Sequence, residues 1–357
     1  MGLSERGHRI AVLAPAVFMR DKPVHESNWC EIKQPKYISF SNIQIPLLGN
    51  TVNLSNYFKS SVSLKGSNEF VAEGVKPDIV YAKFFSSALS AQKIARYHKI
   101  PWVLSVGESI LDYEENIIPI YTHSEMVDIF QDADGIEAVS VDLGKYITNK
   151  FGVPQKKVHV IPNAVDTEFF KQLDRNDSRI RLGLERNDYL VCYVGADTHN
   201  KGARRVLEAV HHLQKDNHND IGLLMLGKTE YLSKYDVVKY SGTVKPDEMP
   251  LYMAASNVFV LPTTNEGMCN SILEAMSAGL PIISSDLPFN HEIINTTNGI
   301  LIDPFDVGQI AAAILRLKND KQLTSNLSQG ARQLAESMDI KNRIRNVEKM
   351  LHTTVGA

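Results

Sequence analysis

Short apolar runs alternate along the chain with longer amphipathic stretches. Runs such as YLVCYVG at 189–195 and IGLLMLG at 221–227 are continuously apolar and do not alternate with polar positions. Continuous apolar runs are typical of strands covered on both faces, as in parallel sheets. The stretches between them carry a helical period, as in GARRVLEAVHHLQKD at 202–216. The pattern predicts βαβ units and an α/β fold with doubly wound, Rossmann-like sheets.

Eleven apolar runs are the predicted strands. They lie at 9–14, 78–82, 102–106, 135–140, 157–162, 189–195, 221–227, 238–242, 257–262, 281–285 and 299–302. From residue 309 onward the pattern is helical to the end of the chain.

The chain is divided by a polar stretch rich in Asp, Asn and Arg at 162–188. Its 357 residues exceed what one hydrophobic core usually organises, so two domains are expected. We predict domains at 1–165 and 166–357, with the last helix a candidate for crossing back to the first domain. The opening GLSERGHRIAVLAP reads as the end of a helix, a turn and a strand, which predicts that the first strand of the first domain and its loop are missing.

Composition and charge exclude several classes of protein. The net charge of −3 argues against a protein that grips nucleic acid through a basic surface. Cys30, Cys192 and Cys269 are far apart and give neither a zinc spacing nor a disulfide framework. No apolar run approaches the roughly 18 residues of a membrane span. A cytoplasmic protein is predicted; peripheral contact with a membrane stays open, and so does the oligomeric state.

The stretch TTNEGMCNSILEAMSAGLPIISSD at 263–286 carries the first candidate site. It follows a predicted strand, and ligands bind at the carboxyl ends of parallel strands. The helix that follows offers free N–H groups suited to a phosphate, and Gly267 lets the backbone approach a ligand. Glu266 and Glu274 are acceptors for hydroxyl groups, and one carboxylate can take two hydroxyls of a sugar.

The same residues have a purely structural interpretation. Ser271 and Glu274 have the spacing of a capping box, in which Glu274 would only close the start of the helix. Glu266 would then be a solvated acid of the loop. The local pattern alone does not decide between the two interpretations.

A second candidate loop follows the strand at 189–195. Lys201 and Gly202 directly precede a helix, where a lysine can neutralise a phosphate beside helix N–H groups. A surface lysine in a turn is the alternative. Neither a dinucleotide-binding G-x-G-x-x-G after a strand nor a P-loop is found, and HEIIN at 291–295 lacks the second histidine of a zinc-protease helix.

Residues from about 135 to 320 resemble the retaining glycosyltransferases of family four. The matching segments are VHVIPNAVDTEFF, YVG…NKG…VLEAV, the E-x7-E stretch with its EG…LEAM…G.P setting, and HEIINTTNGILIDPFD. The resemblance implies the GT-B fold, with two Rossmann-like doubly wound domains facing across a cleft. It places the donor in the second domain and the acceptor against the first.

The resemblance also implies roles for individual residues. Glu274 would hold ribose hydroxyls of a UDP- or GDP-linked sugar, Glu266 hydroxyls of the transferred sugar, and Lys201 the diphosphate. No cofactor or metal is implied. The backbone residues expected at the diphosphate, sugar and base are Gly195, Thr243, Val244, Met268, Cys269, Asn270 and Ser271.

The sequence departs from the family pattern in places that bear on the site. Ala196 stands where the family often carries an arginine, for which Arg204 or Arg205 is a candidate substitute. Glu108 stands where the acceptor-side domain usually has a histidine, and is predicted to act on the sugar or acceptor, or to cap the next helix. The glycine-rich loop of the missing first strand would also be absent.

We therefore predict transfer of a sugar from a nucleoside-diphosphate sugar to a hydroxyl acceptor with retention of configuration. The acceptor would be a glycan, a glycolipid or a small molecule, in polysaccharide or glycoconjugate biosynthesis. One alternative is a non-catalytic relative that binds a nucleotide sugar or serves as a partner subunit. The second is a sugar-nucleotide epimerase.

Overall fold

A computed structural model describes most of the chain. It covers residues 2–13, the backbone of short strands between residues 16 and 52, residues 54–117 with side chains from residue 59 (Leu111 excepted), and residues 121–356. Cys30 lies outside the described residues.

The N-terminal part consists of short elements. They are α1 (Gly2–Glu5), β1 (Ala11–Leu13), β2 (Ala16–Val17), β3 (Glu31–Lys33), β4 (Lys36–Tyr37), β5 (Ile43–Gln44) and β6 (Thr51–Val52). The pairs β1–β3 and β2–β4 are parallel, and β5–β6 is antiparallel. The strand predicted at 9–14 is shorter in the structure.

The rest of the first unit is a parallel sheet with helices. Its elements are α2 (Leu54–Ala72), β7 (Val80–Lys83), α3 (Ala88–His98), β8 (Trp102–Val106), α4 (Ile110–Asp112), α5 (His123–Asp132), β9 (Gly135–Ala138), α6 (Val141–Phe151) and β10 (Val158–Val160). The sheet order is β10-β9-β8-β7 with parallel pairs throughout. Strands β8 and β9 are buried along their length, as continuous apolar runs require.

The second unit carries a larger sheet. Its elements are α7 (Arg175–Leu182), β11 (Tyr189–Val194), α8 (Ala203–Lys215), β12 (Ile221–Leu226), β13 (Val238–Gly242), α9 (Met249–Ala255), β14 (Val258–Leu261), α10 (Asn270–Ser277), β15 (Ile282–Ser285), α11 (Pro288–His291), β16 (Gly299–Ile302), α12 (Val307–Asn319) and α13 (Lys321–Ser337). Helix α14 (Ile340–Val355) begins in this unit, and its residues from Ile344 belong to the first unit. All six strands are parallel, in the order β13-β12-β11-β14-β15-β16.

The strand order reverses between β11 and β14. Cys192 of β11 pairs with Leu224 of β12 on one side and with Phe259 of β14 on the other. The chain builds the sheet outward in both directions from this pair. In doubly wound sheets the ligand binds outside the carboxyl ends of the strands at such a switch point.

The boundary between the units differs from the predicted one. The first unit is Met1–Ile161 with Ile344–Ala357, and the second is Pro162–Arg343, whereas the sequence placed the boundary at 165/166. The reason lies in Val165, whose N–H donates to the Met338 carbonyl at 3.1 Å and whose carbonyl accepts from the Ile340 N–H at 2.9 Å. Residues 162–165 therefore pack with the second unit, and the later part of α14 belongs to the first. Among the described residues, none forms a helix long and apolar enough to cross a bilayer.

Candidate functional site

The loops after β11 and β14 are joined to each other at the switch point. The Thr264 N–H donates to the Asn200 carbonyl at 2.9 Å. The Arg205 guanidinium reaches the carbonyls of His199 at 2.9 Å and Pro262 at 2.8 Å. The two loops that the sequence indicated as ligand-binding features therefore form one structure.

Lys201 and Glu266 form an ion pair at this junction. The side chain of Glu266 is 12% exposed and that of Lys201 is 32% exposed. The same Glu266 oxygen accepts a hydrogen bond of 2.9 Å from the buried Thr263 hydroxyl. The structure thus brings two of the three predicted catalytic residues into direct contact, with most of the surface of both side chains shielded from water.

Helix α10 begins immediately after the loop and presents free N–H groups. Its N-cap is Cys269, whose side chain makes no capping hydrogen bond. The φ angle of Gly267 is not positive. Within the described chain, no acceptor is found for the backbone N–H groups from Gly267 to Ser271. Successive N–H groups at a helix start form an anion-binding site.

The carbonyl side of this loop is fixed by a residue from far away in the sequence. The Asn163 side-chain amide donates to the Met268 carbonyl at 3.0 Å. Since the carbonyl of Met268 is held, the orientation of the following peptide N–H is fixed as well. Met268 and Cys269 are buried, so this part of the loop packs against the core.

Glu274 lies in the second turn of α10 with a shifted pKa. Burial raises the pKa of its carboxyl to about 7. Among the described residues it has neither a hydrogen-bond donor nor a basic partner. A desolvated acid without a partner is typical of a group that meets a ligand.

The capping-box interpretation of Glu274 is wrong. Cys269, not Ser271, caps α10, and the Ser271 hydroxyl contacts the Cys269 sulfur at 3.2 Å. Ser271 lies inside the helix, where its side chain cannot serve as the N-cap. Glu274 is therefore not occupied in closing the helix start.

Buried polar groups support the site from below. The Tyr193 hydroxyl donates to the Ala196 carbonyl at 2.8 Å, and the Ser285 hydroxyl donates to the Thr263 carbonyl.

Burial raises the pKa of the Cys269 thiol. The nearby Glu266 carboxylate raises this pKa further, and Lys201 lowers it. Cys269 thus lies close to the ion pair as a neutral thiol.

Three strand ends at this edge are glycines. Gly195 follows β11, Gly227 follows β12 and Gly242 ends β13. The Gly195 N–H donates to the Leu226 carbonyl at 2.8 Å, and the Gly227 N–H to the Gly242 carbonyl at 2.9 Å. A Cβ on Gly227, where φ is +136°, would lie 2.2 Å from the Gly195 carbonyl oxygen. The backbone can make this close approach only without a side chain.

The residues predicted at the base follow β13. The Thr243 hydroxyl is exposed and donates to Glu230 at 3.0 Å, while Val244 is buried. Thr243 therefore presents its backbone and side chain at the surface of the same unit.

Glu108 is occupied by backbone groups within the first unit. Its carboxylate accepts the N–H of Phe85 at 2.7 Å and that of Gly107 at 3.0 Å. It does not cap the next helix, because Ser109 does so in a capping box with Asp112. Its predicted action on the sugar or acceptor remains a prediction.

Both arginines named as candidate substitutes for the one expected at Ala196 are engaged by other groups of the chain. Arg204 pairs with Asp197 at 3.1 Å and its side chain is 74% exposed. Arg205 is bound by the two carbonyls that join the loops, and its guanidinium lies 5.2 Å from the Phe305 ring centroid. Arg205 thus holds the loops together.

Sequence reasoning missed Asn163, Thr263 and Gly227 as parts of the site. Asn163 lay within the matching segment VHVIPNAVDTEFF, but nothing local shows that its amide reaches the loop at 268. Gly227 carries the clearest signal, because a glycine directly after a buried strand marks a close backbone approach.

The two halves of the chain each match a protein family. Residues 1–169 match Glycosyltransferase Family 4, and residues 174–334 match Glycosyl transferases group 1. Together with the two parallel sheets, these matches define the class: the chain belongs to the GT-B glycosyltransferases of the family 4 type.

Individual relatives are more distant. An Escherichia coli UDP-Gal:α-D-GlcNAc-diphosphoundecaprenol α-1,3-galactosyltransferase is 29% identical over 56% of the chain and 54% of its own length. The sulfoquinovosyl transferase of Arabidopsis thaliana is 27% identical over 81% of the chain and 60% of its own length. A putative teichuronic acid biosynthesis glycosyltransferase of Bacillus subtilis is 26% identical over 69% of the chain and 62% of its own length. The chain thus spans little more than half the length of these curated relatives.

Solved structures share the fold. Sucrose-phosphate synthase from Thermosynechococcus elongatus superposes with a TM-score of 0.80 at 16% identity, over 99% of this chain and 90% of that one. Anabaena HepE in complex with UDP-glucose superposes with a TM-score of 0.71 at 15% identity, over 96% of this chain and 99% of that one. These similarities establish the GT-B fold.

Proposed function

We propose that the protein transfers a sugar from a nucleoside-diphosphate sugar to a hydroxyl acceptor, with retention of anomeric configuration. The observation that carries the proposal is the arrangement at the switch point. In the part of the chain that the structure describes, Glu274 has no partner and lies one helical turn from a loop whose N–H groups have no acceptor, and the Lys201–Glu266 pair flanks that loop. These groups match the three parts of such a donor: hydroxyls, diphosphate and sugar.

The nucleotide end of the donor is assigned to Glu274. Two vicinal ribose hydroxyls can donate to one carboxylate, and they supply the hydrogen bonds that its buried carboxyl lacks. Hydroxyl donors favour the ionised form, so the bound donor lowers the raised pKa of Glu274.

The diphosphate is assigned to Lys201 and to the N–H groups from Gly267 to Ser271. As the bond between the sugar C1 and the phosphate oxygen breaks, negative charge grows on the leaving diphosphate. An ammonium group and preorganised N–H donors stabilise this charge in the transition state. They provide the positive charge without a cofactor or a metal ion.

The transferred sugar is assigned to Glu266. Its carboxylate is fixed by the Thr263 hydroxyl, and its partner Lys201 is drawn to the diphosphate when the donor binds. The Glu266 carboxylate then accepts sugar hydroxyls in place of the ammonium. The ion pair of the unliganded chain is thus exchanged for two contacts with the donor.

Retention is expected from attack on the same face that the diphosphate leaves. The acceptor oxygen bonds to C1 while the C1–phosphate bond breaks, and the acceptor proton passes to an oxygen of the leaving diphosphate. No protein nucleophile is needed. The named relatives, with a diphosphoundecaprenol substrate and a role in teichuronic acid biosynthesis, support a glycan or glycolipid acceptor.

Turnover tests the proposal. The chain is incubated with a panel of UDP- and GDP-sugars and hydroxyl acceptors, and released nucleoside diphosphate is measured. We expect release with at least one donor, at least 100-fold slower in Lys201→Ala and unchanged in Lys215→Ala, an exposed lysine of α8. Release by Lys201→Ala at the parent rate would contradict the assignment.

A non-catalytic partner subunit is the second candidate, because Ala196 stands where the family often carries an arginine and Arg204 is drawn to Asp197. Such a protein would bind nucleoside diphosphate through Glu274 and Lys201 but release none from any donor. Binding without turnover over the whole panel would favour it over the transferase.

A further inference from the structure

Two histidines and a glutamate meet where the N-terminal segment lies against α14. His8 Nε2 is 2.9 Å from Glu348 Oε1, and the rings of His8 and His352 have their centroids 5.7 Å apart. One ligand atom from each of the three side chains lies within 4.8 Å of the other two. All three residues belong to the first unit.

The backbone holds these side chains in place. Glu348 and His352 are four residues apart on α14, so they lie on one face of the helix. The segment before His8 is anchored by Leu3, which packs against a buried cluster that includes Val347 and Met350 of the same helix. The meeting point is therefore built by tertiary packing between segments 340 residues apart.

The carboxylate of Glu348 is held from two sides. Arg6 Nε donates to Oε2 at 2.7 Å, whereas His8 faces Oε1. The arginine thus orients the carboxylate from one side, and Oε1 faces the histidines.

We propose that His8, Glu348 and His352 bind a divalent transition-metal ion, with Zn²⁺ the best match. Two imidazole nitrogens and one carboxylate oxygen are a common zinc ligand set, which leaves a fourth position for water. Bond lengths of about 2.0–2.2 Å place tetrahedral ligand atoms about 3.4 Å apart. The present separations require shifts of about 1 Å, which the exposed His352 side chain makes by rotation.

Binding would tie the two chain segments together. The ion displaces the proton that His8 shares with Glu348 and replaces one hydrogen bond with three metal–ligand bonds. Because the three ligands come together only in the folded chain, the ion stabilises the folded state. This inference does not depend on the proposed transfer activity, since it concerns other residues and another ligand.

Zn²⁺ titration of the full chain tests it. The untagged, metal-free protein is titrated with ZnCl₂ by calorimetry, alongside His8→Ala, His352→Ala and the control His291→Ala. His291 is an exposed histidine paired with Asp286 at 2.7 Å. We expect one ion per parent chain, at least tenfold weaker binding in each of the first two variants, and parent affinity in the control.

A second readout separates binding from misfolding. Saturating Zn²⁺ is expected to raise the Tm of the parent and of His291→Ala by several degrees, but not that of His352→Ala, whose Tm without zinc equals that of the parent. The proposal is overturned if the parent shows no saturable binding, if His352→Ala binds as the parent does, or if His291→Ala loses as much affinity.

Discussion

The side-chain amide of Asn163 donates to the carbonyl of Met268 across 105 positions of sequence, at 3.0 Å. Asn163 is the second residue of the second unit, and Met268 lies in the loop whose N–H groups we assign to the diphosphate. One hydrogen bond therefore fixes a peptide of the proposed donor site.

Replacing Asn163 tests this positioning role. In Asn163→Ala the loop loses its anchor, and we expect UDP or GDP affinity to fall about 5–10-fold, corresponding to roughly 1 kcal/mol for one hydrogen bond. Asn163→Asp should behave alike, because a carboxylate cannot donate to a carbonyl. Calorimetry measures the affinity, and thermal unfolding checks that the variants are folded. The control is Asn326→Ala, at an exposed asparagine of α13. Parent affinity in both Asn163 variants would show that the loop needs no anchor.

Glu266→Gln separates the sugar contact from the diphosphate contact. The substitution removes the carboxylate that pairs with Lys201, so affinity for nucleoside diphosphate should be unchanged or higher. Turnover of the sugar donor should fall at least 100-fold, because the charged acceptor for sugar hydroxyls is lost. A lower diphosphate affinity would mean that Glu266 positions Lys201 and does not hold the sugar.

Glu274 gives the unliganded protein a pH-dependent stability. Because the folded-state pKa, about 7, lies above the ordinary value of 4.5, the folded state holds the proton more tightly. Stability is therefore lost as pH rises from about 4.5 to 7, by on the order of 3 kcal/mol at most, and stays low above pH 7.

Glu274→Gln should remove this loss. We expect the variant to be more stable than the parent towards urea at pH 8, by about 1–3 kcal/mol, with a much smaller difference at pH 5. The same variant should bind nucleoside diphosphate more weakly. An equal stability difference at both pH values would show that Glu274 is not desolvated.

Gly227→Ala should disrupt the strand ends beneath the donor. The added methyl group would overlap the Gly195 carbonyl at 2.2 Å, so we expect a loss of at least 2 kcal/mol in unfolding free energy and weaker nucleotide binding. Gly183→Ala is the matched control: φ there is +66° and nothing lies within 4 Å, so only about 1 kcal/mol should be lost. Equal losses would mean that backbone strain, and not the clash, is responsible.

The second sheet could be predicted almost residue by residue. The predicted strands at 189–195 and 221–227 match Tyr189–Val194 and Ile221–Leu226 to within one residue, and both are buried over most of their length. Their success has a physical cause, because strands covered on both faces must be apolar throughout and so appear as unbroken runs. The two loops of the site followed from the same logic, since both come directly after such strands.

Helix α2 was not predicted, because small polar residues hide its period. Ser60, Ser63 and Ser67 are buried in it, where an amphipathic helix would show apolar residues. Ser63 and Ser67 donate to backbone carbonyls within the helix, at 2.7 and 2.8 Å. A buried serine that is satisfied by its own helix is compatible with the core but carries no hydrophobic signal.

The contacts that complete the site could not be predicted for a different reason. Asn163–Met268 and Lys201–Glu266 join residues 105 and 65 positions apart, and only the folded sheet brings them together. The last helix is different: the sequence made it a candidate for crossing back to the first domain, and its residues from Ile344 belong to the first unit.

The most direct test of the donor site is a calorimetric titration of UDP and GDP into four proteins. They are the parent, Glu274→Ala, Lys201→Ala and the control Lys215→Ala. We predict that the parent and the control bind at least one nucleotide equally well, and that Glu274→Ala and Lys201→Ala each bind it at least tenfold more weakly. Parent affinity in both Glu274→Ala and Lys201→Ala would contradict the assignment of the site.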